Sequence, residues 1–269
     1  MAGPDINATR KFGGTVDFGR AAGEYRAHRA GFPDRFFRVL SHRKWAVPGA
    51  RALDLGTGTG TVARGLARLG LTVEGLDPSE ALMAEAGVLD AEAGVTVTYR
   101  TGKAEAPGGD DSSLDLITAG QCWHWFDRSR AAAEAFRLLR PGGRIVIAHF
   151  DWLPLAGNIV AATEDLILRH NPAWTLGGGT GLYPGWFADL AGAGFGGIES
   201  FSFDHEQPYS HEAWRGRIRA SAGVKASLTK GEVARFDAEM AKLLAARFPE
   251  EPLNVPHRVW AVSGIRPED

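Results

Sequence analysis

The stretch Arg51–Asp77 reads RALDLGTGTGTVARGLARLGLTVEGLD. Residues 51–55 form an apolar strand with one carboxylate, Asp54, near its end. Glycines 56, 58 and 60 follow, and Val62, Ala63, Leu66, Ala67 and Leu69 then recur on one side of a helix over about 59–69. A second strand, 72–76, runs into another carboxylate, Asp77. Strand, glycine turn, helix and strand in that order make half of an open α/β nucleotide-binding domain. A chain that reaches a helix N-terminus through glycines leaves its backbone N–H groups bare, so a ligand can come close to them.

The alternation continues downstream. Pro78 and Ser79 open a helix to about Asp90 that carries Leu82, Met83, Ala86 and Leu89. Val95, Val97 and Tyr99 alternate in a strand over 95–100, and 102–112 is a loop. A strand over 114–119, a helix over 127–139 with Asp127 as N-cap, and a strand over 144–148 follow. Arg140-Pro141-Gly142-Gly143 terminates that helix, because Pro has no N–H to donate and Gly favours the left-handed turn. This pattern predicts an α/β fold, a doubly wound Rossmann-like parallel sheet covered on both faces with right-handed crossovers.

The flanks differ. Residues 1–18 are polar, and 19–44 read as helical pieces in which Phe36, Phe37 and Leu40 share a face and Pro33 can occupy a first turn. Tyr25–Pro33 reads either as a lid over a ligand pocket or as a surface helix and turn. Residues 151–182, with Trp152, Trp174 and glycines 177–179, read as a lid or an insertion. A short helix over 185–191 and a strand over 198–203 come next, and 209–248 is helical. There Thr229 and Glu232 make a capping box, and Val233, Phe236, Met240, Leu243 and Leu244 form an apolar face. Residues 258–263 are the last strand. One domain over 1–269 is expected, with 1–44 as N-terminal lid helices, 45–150 as the ligand-binding half, and cap insertions at about 151–182 and 209–248.

Composition narrows the function. The chain has 269 residues, 44% hydrophobic, with net charge −2, which gives no overall attraction to nucleic acid. Residues 1–50 hold nine Lys/Arg against four Asp/Glu, either a face for an anionic ligand or a solvated surface. A single cysteine, Cys122, permits no internal disulfide and fits a reducing, cytoplasmic compartment; it reads as a small buried residue. The N-terminus lacks the apolar run of a signal peptide, and no apolar stretch approaches the roughly 20 residues of a membrane span. No Cys/His cluster has metal-ligand spacing.

The glycine spacing is G-x-G-x-G, and Thr61 stands where a dinucleotide fingerprint needs its third glycine. Asp54 would repel a pyrophosphate and suits an ammonium-bearing ligand. Asp77, close to the expected ~20 residues after the first glycine, can accept both hydroxyls of a ribose.

These residues carry a resemblance. Asp54-Leu-Gly-Thr-Gly-Thr-Gly60 resembles motif I of the class I S-adenosylmethionine-dependent methyltransferases, and Asp77 matches the acidic residue of motif II. Gly102-Lys-Ala104-Glu105 resembles the family's loop after the third strand. Leu114–Gln121 resembles its fourth-strand motif, and Leu138–Gly143 resembles the motif before its fifth strand. Gln121-Cys-Trp-His-Trp-Phe-Asp127 is similar to a segment of small-molecule methyltransferases that include trans-aconitate methyltransferase-like proteins. Tyr25–Pro33 resembles that subset's N-terminal piece, with Ala30-Gly31-Phe32 replacing its first Pro and its Tyr.

The resemblance implies a seven-stranded sheet with a reversed C-terminal strand, and S-adenosylmethionine as cofactor. It implies Asp54 near the cofactor's ammonium, and the turn of Gly56, Thr57, Gly58 and Gly60 along its amino-acid and ribose side. Asp77, with Pro78 beside it, would hold the ribose, Ala104 and Glu105 would reach the adenine, and Gln121 would lie near the methionine end. Tyr25 and Arg29 would join the cofactor site from the N-terminal piece. Methyl transfer is in-line displacement of a neutral thioether, so catalysis is mostly alignment, and a base helps only where the acceptor has a proton to lose. His124 is the first candidate base, with a wall role as its rival; His149 is a second candidate near the rim. Trp123, Trp125, Phe126, Trp152, Trp174, Trp186 and Trp214 either line a pocket or pack.

The expected activity is methyl transfer to a small-molecule acceptor at O, N, C or S, without nucleic-acid or membrane partners. A cyclase or binding protein that keeps the fold without methylating is the alternative. A nicotinamide oxidoreductase is disfavoured by the glycine spacing and Asp54.

Overall fold

The computed structural model of the protein describes residues 31–221, 223, 224 and 227–268. Its strands are β1 (Arg51–Leu55), β2 (Thr72–Asp77), β3 (Thr98–Thr101), β4 (Leu114–Gly120), β5 (Leu139–Trp152), β6 (Gly196–Tyr209) and β7 (Leu253–Ile265). They form one seven-stranded sheet in the order β3-β2-β1-β4-β5-β7-β6. β1 pairs in parallel with both β2 and β4, and β3 and β5 extend the parallel set on either side. β7 runs the other way. Arg266 exchanges hydrogen bonds with Gly142 and Gly143, whereas Leu153 donates to Pro256, so the partner number falls as β5 advances. This is the doubly wound Rossmann-like sheet expected, mixed by its reversed strand.

The helices are α1 (Asp34–His42), α2 (Thr61–Arg68), α3 (Glu80–Ala93), α4 (Arg128–Leu138), α5 (Ile159–His170), α6 (Gly185–Gly192), α7 (His211–Arg219) and α8 (Lys230–Arg247). Ser79 caps α3 and Asp127 caps α4 through their side chains. Pro33 stands just before α1 rather than inside its first turn. Two regions read as irregular or uniform in sequence resolve differently. Residues 151–182 contain α5, capped by Asn158, with Ile159, Val160, Thr163, Leu166 and Ile167 turned inward at helical spacing. The long helical reading of 209–248 breaks into α7 and α8. Arg140–Gly143 lies within the span of β5, where the pairing steps from Leu114↔Leu139 to Leu116↔Arg144. The extra residues bulge from the strand that the helix turns directly into.

Contacts divide the described residues into two compact units. The larger comprises 31–150, 182–203 and 259–268. On one face of its sheet, Leu53 and Leu55 of β1, Ile117 and Ala119 of β4, and Ile145 and Ile147 of β5 project at period two. Ala131, Ala132, Ala135 and Leu138 of α4 cover them, together with Trp186 and Leu190 of α6. The alanines let α4 approach the sheet closely. At the other face, a side chain at Gly120 would meet Val62 of α2 at 2.5 Å and Phe32 at 3.2 Å. Each large apolar side chain buried this way contributes roughly 1.5–3 kcal/mol.

The smaller unit comprises 151–181 and 204–258 among the described residues, with its own core. Ile159, Val160, Leu166 and Ile167 of α5 pack with Trp214 and Ile218 of α7 and with Phe236, Met240 and Leu244 of α8. The Thr229 hydroxyl accepts the Glu232 N–H, and Glu232 Oε2 accepts the Thr229 N–H at 2.8 Å, a reciprocal cap on α8. Thr229→Ala is expected to destabilise the protein by about 1 kcal/mol in chemical denaturation, and an unchanged midpoint would show that the cap carries no weight. Among the described residues no helix is long and apolar enough to cross a membrane.

Candidate functional site

β1 continues to β2 on one side and has β4 on the other, so the strand order reverses between β1 and β4. Ligands of open α/β sheets gather outside the carboxyl ends of strands at such a point. Asp54 is next to last in β1, Asp77 ends β2, Gln121 follows β4, and His149 of β5 lies one residue past Ala148, the partner of Gly120. All four belong to the larger unit.

The glycine turn is held from several sides. Thr57 N–H donates to Leu76 O at 3.0 Å, and Gly60 N–H to Thr57 O at 2.9 Å. Gly56 has φ 61°, and a Cβ there would meet Cys122 Cβ at 2.8 Å and Phe126 Cζ at 3.1 Å, so only glycine fits. Gly58, with φ 53°, faces open space, and a side chain there would meet nothing within 4 Å. The turn therefore keeps a bare backbone edge where an extended ligand can lie.

Behind the turn stands a polar network that local spacing does not reveal. Arg64 Nε of α2 lies 2.8 Å from Asp90 of α3, and Tyr99 of β3 donates to the same carboxylate at 2.8 Å. Arg64 also donates to Thr59 O at 2.8 Å and to Ala86 O at 3.2 Å. The Tyr99 hydroxyl occupies the space a side chain on Gly60 would need, and its ring fills the space over Gly75.

The two carboxylates differ in setting. Asp54 is 1% exposed, and Thr118, its register partner on β4, donates to it at 2.6 Å. Burial pushes the Asp54 carboxyl up to about 6, with the Thr118 hydroxyl opposing that rise. Asp77 accepts Ser79 N–H at 2.8 Å on one oxygen and Gly58 N–H at 2.9 Å on the other. Burial raises its pKa too, while these two N–H groups pull it down. Each oxygen keeps a second acceptor position, so the pair matches a vicinal diol.

Around them, Gly102 N–H donates to Asp77 O at 3.2 Å, which brings the 102–106 loop to the end of β2. Ala104 is buried there, and Pro78 is exposed. Glu105 turns one oxygen to Asp127 N–H at 2.8 Å, at the start of α4. Gln121 adopts φ 61° outside the usual region for a side-chain-bearing residue. Its N–H donates to Ala148 O at 2.8 Å and its carboxamide to Phe150 O at 2.7 Å, which pins it to β5. Tyr25 and Arg29 lie outside the described residues.

His124 sits in a short 3-10 turn, Trp123–Trp125, and its Nδ1 is 3.2 Å from Nε2 of His149. The sequence marks each as a candidate near the strand ends, but no spacing rule pairs these two positions, 25 residues apart. The His149 ring in turn lies 4.5 Å from Tyr183 and 5.2 Å from Trp186, and those two stack at 4.3 Å. Tyr183 carries no local signal and emerges only from the packing. Trp123 is fully buried and donates to Asp189 at 3.0 Å, so it is core; Trp125 lies 4.7 Å from His124. Cys122 is buried, with its thiol directed at Leu55 O at 3.1 Å. Among the described residues no group of three His, Cys, Asp or Glu could hold a metal ion.

Comparison with known proteins finds methyltransferases among the relatives of this chain. A family model described as a methyltransferase domain matches residues 53–147. An uncharacterized methyltransferase of Mycobacterium tuberculosis strain H37Rv is 32% identical over 182 residues, covering 60% of this chain and 71% of the relative. A ubiquinone biosynthesis O-methyltransferase of Pseudomonas entomophila is 30% identical over 132 residues, 48% of this chain and 57% of that protein. The crystal structure of a candidate type II methyltransferase from Anaeromyxobacter dehalogenans superposes with TM-score 0.61 at 26% identity, over 90% of this chain and 99% of that one.

Proposed function

The chain belongs to the class I S-adenosylmethionine-dependent methyltransferases, and from that premise we propose that it methylates a small molecule whose accepting atom carries a proton. The observation that carries this reading is the 3.2 Å His124–His149 pair beside the carboxyl ends of β4 and β5. The likeness to the ubiquinone O-methyltransferase spans less than half of this chain, so it does not choose the acceptor.

The residues present fit the cofactor. Gly58 leaves an open backbone edge, and Asp77 offers two free acceptor positions. Asp77, with Pro78 beside it, would hold the ribose hydroxyls; Gly56, Thr57, Gly58 and Gly60 would line the amino-acid and ribose side. Asp54 would meet the ammonium, Ala104 and the remaining oxygen of Glu105 the adenine, and Gln121 the methionine end. Tyr25 and Arg29 enter through the family resemblance. When bound, S-adenosylmethionine supplies an electrophilic methyl group and leaves as a neutral thioether.

The chain's own part is to align the acceptor and remove its proton. The hydrogen bond between the imidazoles defines how. With the proton on His124 Nδ1 donated to His149 Nε2, His124 Nε2 keeps a lone pair and serves as the base. On taking the acceptor's proton, His124 becomes a cation whose charge the His149 lone pair stabilises. Tyr183 and Trp186 fix the His149 ring by packing. In this reading 1–44, 151–182 and 209–248 are the cap elements of a single cytoplasmic enzyme, a setting that the lone cysteine suits.

Incubation of cell extract with the protein and methyl-labelled S-adenosylmethionine tests the acceptor class. Label is expected in metabolites below about 1 kDa, the size range of a ligand pocket; label confined to nucleic acid or protein would overturn the small-molecule reading.

Asp54 makes cofactor binding pH-dependent. Without ligand its carboxyl takes a proton as pH falls through about 6, whereas an ammonium partner favours the carboxylate. Affinity for S-adenosylhomocysteine is therefore expected to be level above about pH 7 and to fall towards tenfold per unit below pH 6. Calorimetry from pH 5 to 8 reads this slope, which Asp54→Asn removes. A wild-type profile flat to pH 5 would separate Asp54 from the ammonium.

A further inference from the structure

The smaller unit contains a half-buried arginine that has no carboxylate in an ion pair with it among the described residues. α7 carries arginines at 215, 217 and 219. Two residues along a helix turn by about 200°, so Arg217 faces away from its two neighbours. Arg215 and Arg219 clamp Asp237 of α8, with Arg219 Nη1 at 2.7 Å, and both also reach Glu212. Arg217 instead lies over the Trp152 ring, its Cζ 4.9 Å from the ring centroid. Among the described residues no carboxylate comes within 4.0 Å of its guanidinium, the distance that defines the other ion pairs.

The other described arginines of this unit do not share that condition. Arg169, Arg235 and Arg247 are exposed, and Arg258 grips Asp204 through two nitrogens at 2.7 and 2.9 Å. Arg217 is partly buried, and burial pushes its guanidinium below its ordinary pKa. Asp151 and the Tyr209 hydroxyl favour its charge, but from positions that form no carboxylate fork. His257 supplies no negative charge. It is 3% exposed, its Nδ1 is 2.9 Å from Val255 O, and burial together with Arg217 holds its imidazole down to about 4, hence neutral. His205 adds no anion either.

An indole face returns only part of the hydration that a guanidinium loses on burial. Stacking occupies the plane of the guanidinium and leaves its edge N–H groups, which match the two oxygens of a carboxylate or phosphate.

We propose that Arg217, stacked on Trp152 and bordered by Tyr209, binds the oxyanion of a small molecule, a carboxylate or a phosphate.

The test uses the full-length protein and its Arg217→Gln and Arg217→Lys variants. Acetate, benzoate and inorganic phosphate are titrated calorimetrically, with benzamide as the neutral control and S-adenosylhomocysteine as a check on the fold. Wild type is expected to bind at least one anion and to prefer benzoate to benzamide by tenfold or more if the carboxylate arm holds. Arg217→Gln is expected to lose anion binding tenfold or more, Arg217→Lys to recover part of it, and both to keep wild-type S-adenosylhomocysteine affinity. Binding of carboxylates alone identifies the source as a carboxylic acid, and binding of phosphate alone as a phosphate ester. No anion binding to wild type, or equal binding to Arg217→Gln, overturns the site.

Discussion

His124→Ala is expected to lower kcat by about 100-fold or more, with S-adenosylhomocysteine affinity within twofold of wild type. The size follows from what a positioned base contributes to a transition state, and the selectivity from geometry. His124 is paired to His149 rather than to the glycine turn or to either carboxylate, so its loss should leave those groups in place. Alanine also leaves a gap beside Trp125, 4.7 Å from the imidazole in the intact protein. Exogenous imidazole can enter such a gap, and partial recovery of rate with added imidazole would distinguish a missing base from a disturbed wall. A turnover near wild type would leave His124 as packing only. The companion His149→Asn is expected to lose less, because it orients the base and does not touch the acceptor's proton.

Asp77→Ala is expected to weaken S-adenosylhomocysteine binding by about 1–3 kcal/mol, a factor of roughly 5 to 150. Two effects contribute. The variant loses the acceptors for the ribose hydroxyls, and it releases the Gly58 and Ser79 N–H groups that Asp77 holds at 2.9 and 2.8 Å. A cycle with a deoxyribose analogue of S-adenosylhomocysteine separates them. Removing a ribose hydroxyl should cost wild type affinity and cost Asp77→Ala almost nothing, since its partner has already gone. Equal costs in both proteins would take Asp77 out of the ribose site and leave it as the brace of the turn.

The parts of this protein that could be read from its sequence are those whose physics is local. The strand 51–55, the glycines, the helix behind them and Asp77 lie within 27 consecutive residues, so period and turn chemistry are enough to identify them. The caps at Ser79, Asp127 and Thr229 were legible for the same reason, each joining residues three apart. Alternation predicts a strand from Val95, ahead of the observed start at Thr98, because alternation persists where pairing does not. Only Thr98–Thr101 finds partners on β2, and Val95 and Val97 precede that register. α5 was hidden by the glycines and tryptophans around it, although Asn158 and the spacing from Ile159 to Ile167 mark it. The Arg140–Gly143 stretch has strong stop chemistry, which conceals that a strand begins at Leu139.

The site divides along the same line. The proposed cofactor side is legible because its residues follow one motif after another along the chain. The His124–His149 pair, the Tyr183 stack and the Arg64–Asp90–Tyr99 network are products of folding, made by residues far apart in sequence. No spacing rule announces them. Arg217 is similar, since its alternate position between two clamped arginines is visible but its seat on Trp152 is not.

The network behind the glycine turn has a consequence for how this protein can vary. The Tyr99 hydroxyl fills the space a side chain would need at Gly60, its ring fills the space at Gly75, and its hydroxyl completes the Asp90–Arg64 contact. A larger residue at 60 or 75 must displace the tyrosine, and a smaller residue at 99 strands a buried carboxylate–guanidinium pair short of one donor. Drift at these positions is therefore coupled. Gly60, Gly75 and Tyr99 behave as one heritable unit drawn from three elements, and a lineage that loses one of the three must replace the others to keep its turn.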